Sequence, residues 1–358
     1  MNVNYPLIKT VRMLLLPFSL IYGLIVIFRN WMFDRKILRS ATFNLPVVCV
    51  GNLTVGGTGK SPMVEFMIEK MKQSFRIAVL SRGYKRKTRG YALATPQSTA
   101  LEIGDEPMQF FNKFPDVTVA VGEERVFAIP QLLHDKPDTQ VIILDDAFQH
   151  RSVTAGLNII LSEYNNLYTR DWFLPTGDLR DQPKSARRAD MIVITKCPPD
   201  LSLAEKNRVI SEIKPAVDQQ VFFTTIAYGQ AYQVITREIR TINSSTEVLL
   251  VTGIANPGPL KKYLEENFNG YDELAFSDHH IFTIDDLKNI LKRFNQNPSP
   301  HKIILTTEKD AVRLQKFSQQ LQDLPVYVLP IQPVFLFYEE NQFTQLITTF
   351  IQEFPGQA

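Results

Sequence analysis

Short, unbroken apolar runs recur through the first half of the chain, at 45–50, 76–80, 117–121, 141–144, 157–161 and 191–195, with helix-compatible segments between several of them. Runs without polar alternation belong to strands buried on both faces, so the pattern predicts a mainly parallel sheet with helices on either side. Ligands on such sheets sit beyond the carboxyl ends of the strands, which makes the residues after each run the place to look for chemistry. From about 221 to 247 the pattern changes: Phe222-Phe223-Thr224-Thr225-Ile226 and Gln233-Val234-Ile235-Thr236 read as extended segments around Gly229, a hairpin-like linker. Further on, 248–251, 302–305 and 326–329 predict strands, and 259–267 and 284–294 helices, of a second, smaller α/β unit. Thr283, Asp285 and Asp286 supply a capping pattern for the second of these helices. The expected organisation is an N-terminal segment at 1–40, a larger domain at 41–225, the linker at 226–247 and a smaller domain at 248–358 that contributes to the active-site cleft.

Residues 13–28 are almost wholly apolar, preceded by Arg12 and followed by Arg29, Arg35, Lys36 and Arg39. That run is shorter than the roughly 20 residues a helix needs to cross the hydrocarbon core. Phe28-Arg29-Asn30-Trp31 is also no small-residue cleavage site. The pattern predicts a membrane-associated helix lying in one leaflet, with Trp31 and the basic cluster at anionic headgroups; a buried core helix and a full span are the alternatives. A length of 358 residues with 44% hydrophobic content suffices for two packed domains. The net charge of +2 gives no global attraction to nucleic acid. Two cysteines, Cys49 in an apolar strand and Cys197 before two prolines, form neither a disulfide framework nor a zinc spacing, which fits a reducing compartment.

The first apolar run leads into Gly51-Asn52-Leu53-Thr54-Val55-Gly56-Gly57-Thr58-Gly59-Lys60-Ser61, the strand, glycine-rich turn and helix start of a nucleoside triphosphate cradle. Gly56, Gly57 and Gly59 would let successive backbone N–H groups curl around phosphate oxygens, Lys60 would reach the terminal phosphates, and Ser61 could ligate Mg²⁺. The usual GxxxxGK[ST] spacing wants glycine where this chain has Thr54, so the loop is a variant. Val141-Ile142-Ile143-Leu144-Asp145-Asp146 is a strand ending in two acids, suited to hold a metal opposite Ser61. Arg82, Lys85, Asp105 and His150 follow other strands or open a helix; each has an ordinary reading as solvated charge, cap or loop hydrogen-bonder beside a functional one.

Taken in order, GNLTVGGTGKSP, SRGYKRK, GDEP, GEER, DDAFQH, LPTGDLRD, TGIANP, SDHHIF and TEKDAVRL resemble the tetraacyldisaccharide 4'-kinase family over nearly the whole chain. The resemblance implies a P-loop NTPase-like α/β fold with an N-terminal membrane-associating helix. It also implies ATP and Mg²⁺ as cofactors and phosphorylation of the 4'-hydroxyl of a tetraacyldisaccharide 1-phosphate, a lipid A precursor, to lipid IVA. By the same resemblance Thr54, Val55, Gly56, Gly57, Thr58, Gly59, Lys60 and Ser61 bind nucleotide, with Ser61, Asp145 and Asp146 on the metal side. Asp105 is the base, paired with His279 or His280, of which His280 is slightly favoured. Arg82, Tyr84, Glu106, Arg125, His150, Arg180 and Asp181 line the cleft. Asp181 stands where glutamate is common, and Asp178 where an apolar residue or proline is usual. The expected location is peripheral or monotopic on the cytoplasmic face of the bacterial inner membrane, with no nucleic-acid partner and no obligate protein partner.

The main rival is a membrane-associated ATPase switch of the ParA/MinD kind. Those proteins carry a lysine just before the glycine pair, where this chain has Val55, and they offer no role for SDHHIF or LPTGDLRD. A GTPase reading of Ile194-Thr195-Lys196 fails at Pro198, where a base-reading aspartate is expected.

Overall fold

In the computed structural model, which describes residues 12–355, the strands form two sheets. They are β1 (Val47–Asn52), β2 (Ile77–Ser81), β3 (Ala92–Leu93), β4 (Thr118–Val121), β5 (Val141–Asp145), β6 (Leu157–Glu163), β7 (Met191–Thr195), β8 (Gln220–Tyr228), β9 (Ala231–Gln233), β10 (Ile239–Arg240), β11 (Glu247–Thr252), β12 (Tyr271–Ala275), β13 (Lys302–Thr306), β14 (Val326–Val328) and β15 (Ile331–Phe335). The first sheet has the order β15-β8-β7-β6-β1-β5-β2-β4-β3. Its interior strands are parallel, and the edge strands β3 and β15 run antiparallel to their neighbours. Every residue of β1, β2, β5 and β7 is buried, because apolar side chains on both faces meet helices. β1 lies between β5 and β6, and Val50 is in register with Asp145, so the glycine-rich turn and the acidic strand end emerge side by side.

The smaller unit differs from its expected limits. Its sheet, β10-β9-β14-β13-β11-β12, takes in β9 and β10, so part of the expected linker at 226–247 is a hairpin paired into that sheet. The chain also returns to the first sheet, correcting the boundary at 358. β15 pairs antiparallel with β8, and helix Glu340–Gln352 buries Phe343, Ile347 and Ile351 in the same cluster as Met63, Met67 and Met71 of helix Lys60–Met71. Aromatic packing supports the return: the Phe343 ring centroid lies 4.7 Å from that of Phe335 and 5.2 Å from that of Phe222. The smaller unit is therefore an insertion between two neighbouring strands of the larger one.

Helix Glu308–Leu314 of the insertion packs on helix Asp105–Lys113 of the larger domain. Lys113 Nζ lies 2.6 Å from Glu65 and 2.7 Å from Glu308, so one lysine serves two carboxylates. Burial, aided by the Glu308 charge, pushes the Glu65 carboxyl up to about 7 despite Lys113 and Gln109. A carboxyl raised in the folded state loses stability as pH climbs from its unfolded value to its folded one. Glu65→Gln is therefore expected to gain stability on the order of 1 kcal/mol or more above about pH 7 and almost none near pH 4. Thermal melts across that range check this, and a gain independent of pH would contradict it.

Helix Leu16–Asp34 inverts the usual amphipathic rule. It buries Ser19, Gly23 and Asn30 while Phe18, Ile21, Leu24, Ile25 and Phe28 stand exposed. It extends past the expected 28 because Asn30 finds acceptors: its amide donates to Asp181 Oδ1 at 2.7 Å and to Ser185 at 3.3 Å. By length and composition its 19 residues could cross a membrane, and 17% of its apolar window is buried in the protein. Ser19 Oγ donates to Phe173 O and accepts from Thr176 N, and Tyr22 donates to Arg180 O. Glycine at 23 is required by close approach, since a Cβ there would lie 2.7 Å from the Phe173 ring.

Candidate active site

The helix Lys60–Met71 starts without a side-chain cap, and Gly59 before it is left-handed at φ 90°. Its first N–H groups therefore lack intrahelical partners and point toward the turn, the arrangement that receives an anion. Gly56 also has positive φ, at 103°, and a Cβ on Gly57 would project into open space in the cradle. The turn is held from below: Asn52 Nδ2 donates to Thr58 Oγ1 at 2.9 Å, and Thr195 Oγ1 donates to Thr58 O at 2.8 Å. Thr54 and Val55, expected to bind nucleotide, serve a different purpose. Thr54 is bridged to Leu179 and Val55 N donates to Asp178 O at 2.7 Å, so this stretch is pinned to the 173–185 loop. An extended bridge needs no positive φ, which explains threonine in place of glycine.

Lys60 Nζ lies 3.6 Å from Asp146 Oδ1, and Arg180 Nη2 lies 2.7 Å from the same oxygen while also donating to Asn52 Oδ1. Burial opposes ionisation of Asp146, yet Lys60 and Arg180 outweigh it and hold the carboxyl down at about 2. Asp146 has φ 48°, a strained left-handed backbone that aims its side chain at the phosphate turn. Asp145 is buried, accepts from Ser81 Oγ at 2.9 Å, and is pushed up to about 7 by burial and by its neighbours Glu106 and Asp146. Its other oxygen, Oδ1, is buried with no hydrogen-bond partner. Ser61 Oγ lies 3.3 Å from Glu106 Oε1. Hard oxygens around an orphaned carboxylate atom fit Mg²⁺. Among the described residues no three His, Cys, Asp or Glu side chains make a protein-only cage, which suits an ion that takes phosphate and water ligands.

At the other end of the site stands Asp105. His279 Nδ1 lies 3.1 Å from its Oδ2, and Arg313 Nε donates to the same oxygen at 2.8 Å. Burial raises the Asp105 carboxyl, but His279 and Arg313 together hold it below its ordinary value. Arg313 Nη2 also lies 3.2 Å from His279 Nδ1. An arginine N–H can only donate, so a bare Nδ1 accepts from Arg313 and a protonated Nδ1 donates to Asp105. His279 has φ 60°, and its N–H bonds to Gly253 O, which also takes Arg313 Nη1 at 2.9 Å. Thus residues from TGIANP, SDHHIF and TEKDAVRL form one network facing Asp105.

His280, the favoured partner, is not the one beside Asp105. Its Nε2 lies 2.9 Å from Asp286 Oδ2, within the capping box of helix Ile284–Gln296, and its ring stacks on Phe276. The flanking Phe276 and Phe282 were the sequence signal for a packed ring. Arg125 does not line the cleft either: it is fully buried, bonding Gly122 O and Asp145 O from beneath. Asp181 is likewise buried, accepting from Asn30, Ser185, Gln182 N and Arg188. Glu106 faces Ser61 at the phosphate end. Tyr84 is exposed with its ring edge toward His279 at 6.0 Å, Arg82 is exposed nearby, and His150 is held neutral, down at about 4, by burial with Arg125 and Arg82 around it. The sequence reading assigned no role to Arg313 or to Lys309, whose Nζ lies 2.7 Å from Glu106 Oε1.

Comparison with known proteins gives a consistent result. The family described as Tetraacyldisaccharide-1-P 4'-kinase matches residues 11–352. Relatives named tetraacyldisaccharide 4'-kinase include those of Bacteroides thetaiotaomicron, 43% identical over 95% of this chain and 93% of the relative, and Flavobacterium johnsoniae, 45% identical over 96% and 98%. Among solved structures, LpxK from Aquifex aeolicus in complex with ATP is similar with a TM-score of 0.75 and 28% identity, covering 95% of this chain and 99% of that one.

Proposed function

The chain belongs to the tetraacyldisaccharide-1-P 4'-kinase family, and from that premise we propose how its residues carry out the reaction. It is a lipid kinase that phosphorylates the 4'-hydroxyl of a tetraacyldisaccharide 1-phosphate. The ATP in the Aquifex structure supports ATP as donor. The 56–61 turn and the uncapped start of helix Lys60–Met71 receive its phosphates, with Lys60 on the terminal ones. Mg²⁺, held at Ser61 with Asp145 and Asp146, supplies charge neutralisation when bound. The acceptor hydroxyl donates to Asp105, whose Oδ1 is left for it because His279 and Arg313 both use Oδ2. As the hydroxyl oxygen bonds the γ-phosphorus and the bond to the bridging oxygen of ADP breaks, Asp105 takes the proton. His279 can relay it, and Arg313 remains a donor to whichever atom is bare. Lys309 adds a cation from the inserted unit at the Glu106 side of the phosphates.

The observation that carries this reading is Asp105, at the start of a helix of the larger domain, meeting His279 and Arg313 from the inserted unit, a cluster with no purpose in an ATPase switch. Radiolabel transfer from γ-labelled ATP to the disaccharide monophosphate in micelles tests it. Hydrolysis stimulated by another protein, without lipid transfer, would favour the switch instead.

The acylated acceptor accounts for helix Leu16–Asp34. Its outward apolar face seeks a bilayer, and its inward polar stripe grips the loop that carries Arg180. The protein sits on the cytoplasmic face of the bacterial inner membrane in this reading. Asn30→Leu is accordingly expected to lower kcat about tenfold to a hundredfold even with micellar acceptor, because the loop that places Arg180 against Asp146 then loses the Asn30–Asp181 hydrogen bond that ties it to the helix. Unchanged kcat with weaker vesicle binding would limit the helix to anchoring.

A further inference from the structure

Three helices bring side chains to the site: Lys60–Met71 with Lys60 and Ser61, Asp105–Lys113 with Asp105 and Glu106, and Glu308–Leu314 of the insertion with Lys309 and Arg313. The same three helices meet a second time, at a cluster apart from the reacting groups. There Lys113 Nζ bridges Glu65 Oε2 at 2.6 Å and Glu308 Oε1 at 2.7 Å, and both carboxylates are buried, with side-chain exposures of 4% and 7%. Gln109, one turn before Lys113, donates from Nε2 to the other Glu65 oxygen at 2.6 Å. The other Glu308 oxygen accepts from Ile331 N at 3.4 Å, where the chain returns to the first sheet. Alongside, Asn112 Nδ2 donates to Gln315 Oε1 at 2.8 Å.

The ion pairs between the insertion and the larger domain fall into two groups. Asp105–His279, Asp105–Arg313 and Glu106–Lys309 lie in the site itself. Their charges change in the proposed reaction, because Asp105 is neutralised when it takes the proton and Lys309 meets phosphates as well as Glu106. Among the described residues, Lys113–Glu308 is the one ion pair between the two units that touches neither Asp105 nor Glu106. Its charges are the same before and after transfer. A buried ion pair adds little net stability, but it penalises every arrangement that leaves one partner buried without the other. It therefore fixes the seat of helix Glu308–Leu314 on helix Asp105–Lys113 more sharply than a non-directional apolar contact would. The helix passes that placement on as a unit: Thr307 Oγ1 caps it by accepting from Asp310 N at 3.2 Å, and buried Asp310 accepts from Gly253 N at 3.0 Å and from Arg313 Nη1 at 2.9 Å.

We infer that Glu308 and Lys113 are positioning residues for phosphoryl transfer, whose bridge keeps Arg313 at Asp105 and Lys309 at the phosphate side while the charges of the site change. This rests on the lipid-kinase reading above. Glu65 completes the cluster by holding Lys113 from the helix that begins at the phosphate turn.

Glu308→Met tests the inference. It leaves Lys113 paired with Glu65, so no buried charge is stranded. With tetraacyldisaccharide 1-phosphate in micelles the variant is expected to lower kcat about tenfold to a hundredfold, the cost of misplacing reacting groups by about 1 Å. ATP affinity should stay at the parental value, since the phosphate turn belongs to the larger domain. In a Lys309→Ala/Arg313→Ala background, which lacks the groups the bridge positions, the same substitution is expected to cost less than about twofold. If Glu308→Met does not fold, Glu65→Gln/Lys113→Met/Glu308→Gln, with no charge left in the cluster, carries the same expectations. Parental kcat overturns the inference. So does an equal loss in both backgrounds, or a loss of ATP affinity that matches the loss of kcat, either of which makes the bridge a general structural tie. An unaltered protein that transfers to no lipid overturns the kinase reading and this inference with it, and is told apart because the parent itself is then inactive.

Discussion

Asp105→Ala is expected to lower kcat by about two to four orders of magnitude while leaving ATP affinity nearly unchanged, the usual worth of a group that takes a proton in the transition state. Asp105 lies at the start of helix Asp105–Lys113, with its ionised form held by Arg313 and His279. His279→Ala should act on the same step, so the double variant is expected to be barely worse than Asp105→Ala alone. His280→Ala should leave kcat near that of the parent and lower Tm, because its ring holds Asp286 and stacks on Phe276. Steady-state kinetics with saturating ATP, together with thermal melts, separate these cases. If Asp105→Ala only raises KM for the lipid, Asp105 binds the acceptor and takes no proton. If His280→Ala proves the slower of the two histidine variants with its Tm unchanged, the geometry has been misassigned.

Lys60→Ala is the second large effect. Lys60 is the cation that the turn itself delivers to the terminal phosphates, and removing one preorganised charge from a phosphoryl-transfer site costs about 10²–10³ in kcat. The loss should exceed that of Lys309→Ala, since Lys309 reaches the site only through Glu106. Asp146 would also lose one of its two cationic neighbours, leaving Arg180 to hold it. Measuring ATP binding and turnover separately shows whether Lys60 acts mainly on the bound phosphates or on the transferring group. Near-parental turnover at saturating ATP would remove the phosphate-loop assignment.

Much of the architecture was legible because it depends on local patterning. Continuous Val/Ile/Leu runs can be buried only between two helical layers, and β1, β2, β5, β6 and β7 form close to where those runs lie. Gly59 before Lys60, with positive φ, and an acidic end to the neighbouring strand likewise follow from spacing. The limits of the smaller unit were not legible, since 331–335 and 340–352 read like elements of the nearer domain. Their partners, β8 and helix Lys60–Met71, are more than a hundred residues away in sequence, and pairing at that distance leaves no periodic mark.

Side-chain placement divides the same way. The sequence by itself determined most of the buried parallel strands, the phosphate turn, the apolar N-terminal segment and the family, because each rests on residue type at short spacing. Only the tertiary structure decided that His279 and not His280 meets Asp105, that Arg313 and Lys309 arrive from the insertion, and that Arg125 and Asp181 are buried supports. Two adjacent histidines have the same chemistry, and their difference comes from a backbone turned to φ 60° at His279 and pinned on Gly253. A buried arginine and a cleft arginine are likewise the same letter. Which one it is depends on what the fold packs above it, a fact of three-dimensional neighbours that residue order does not contain.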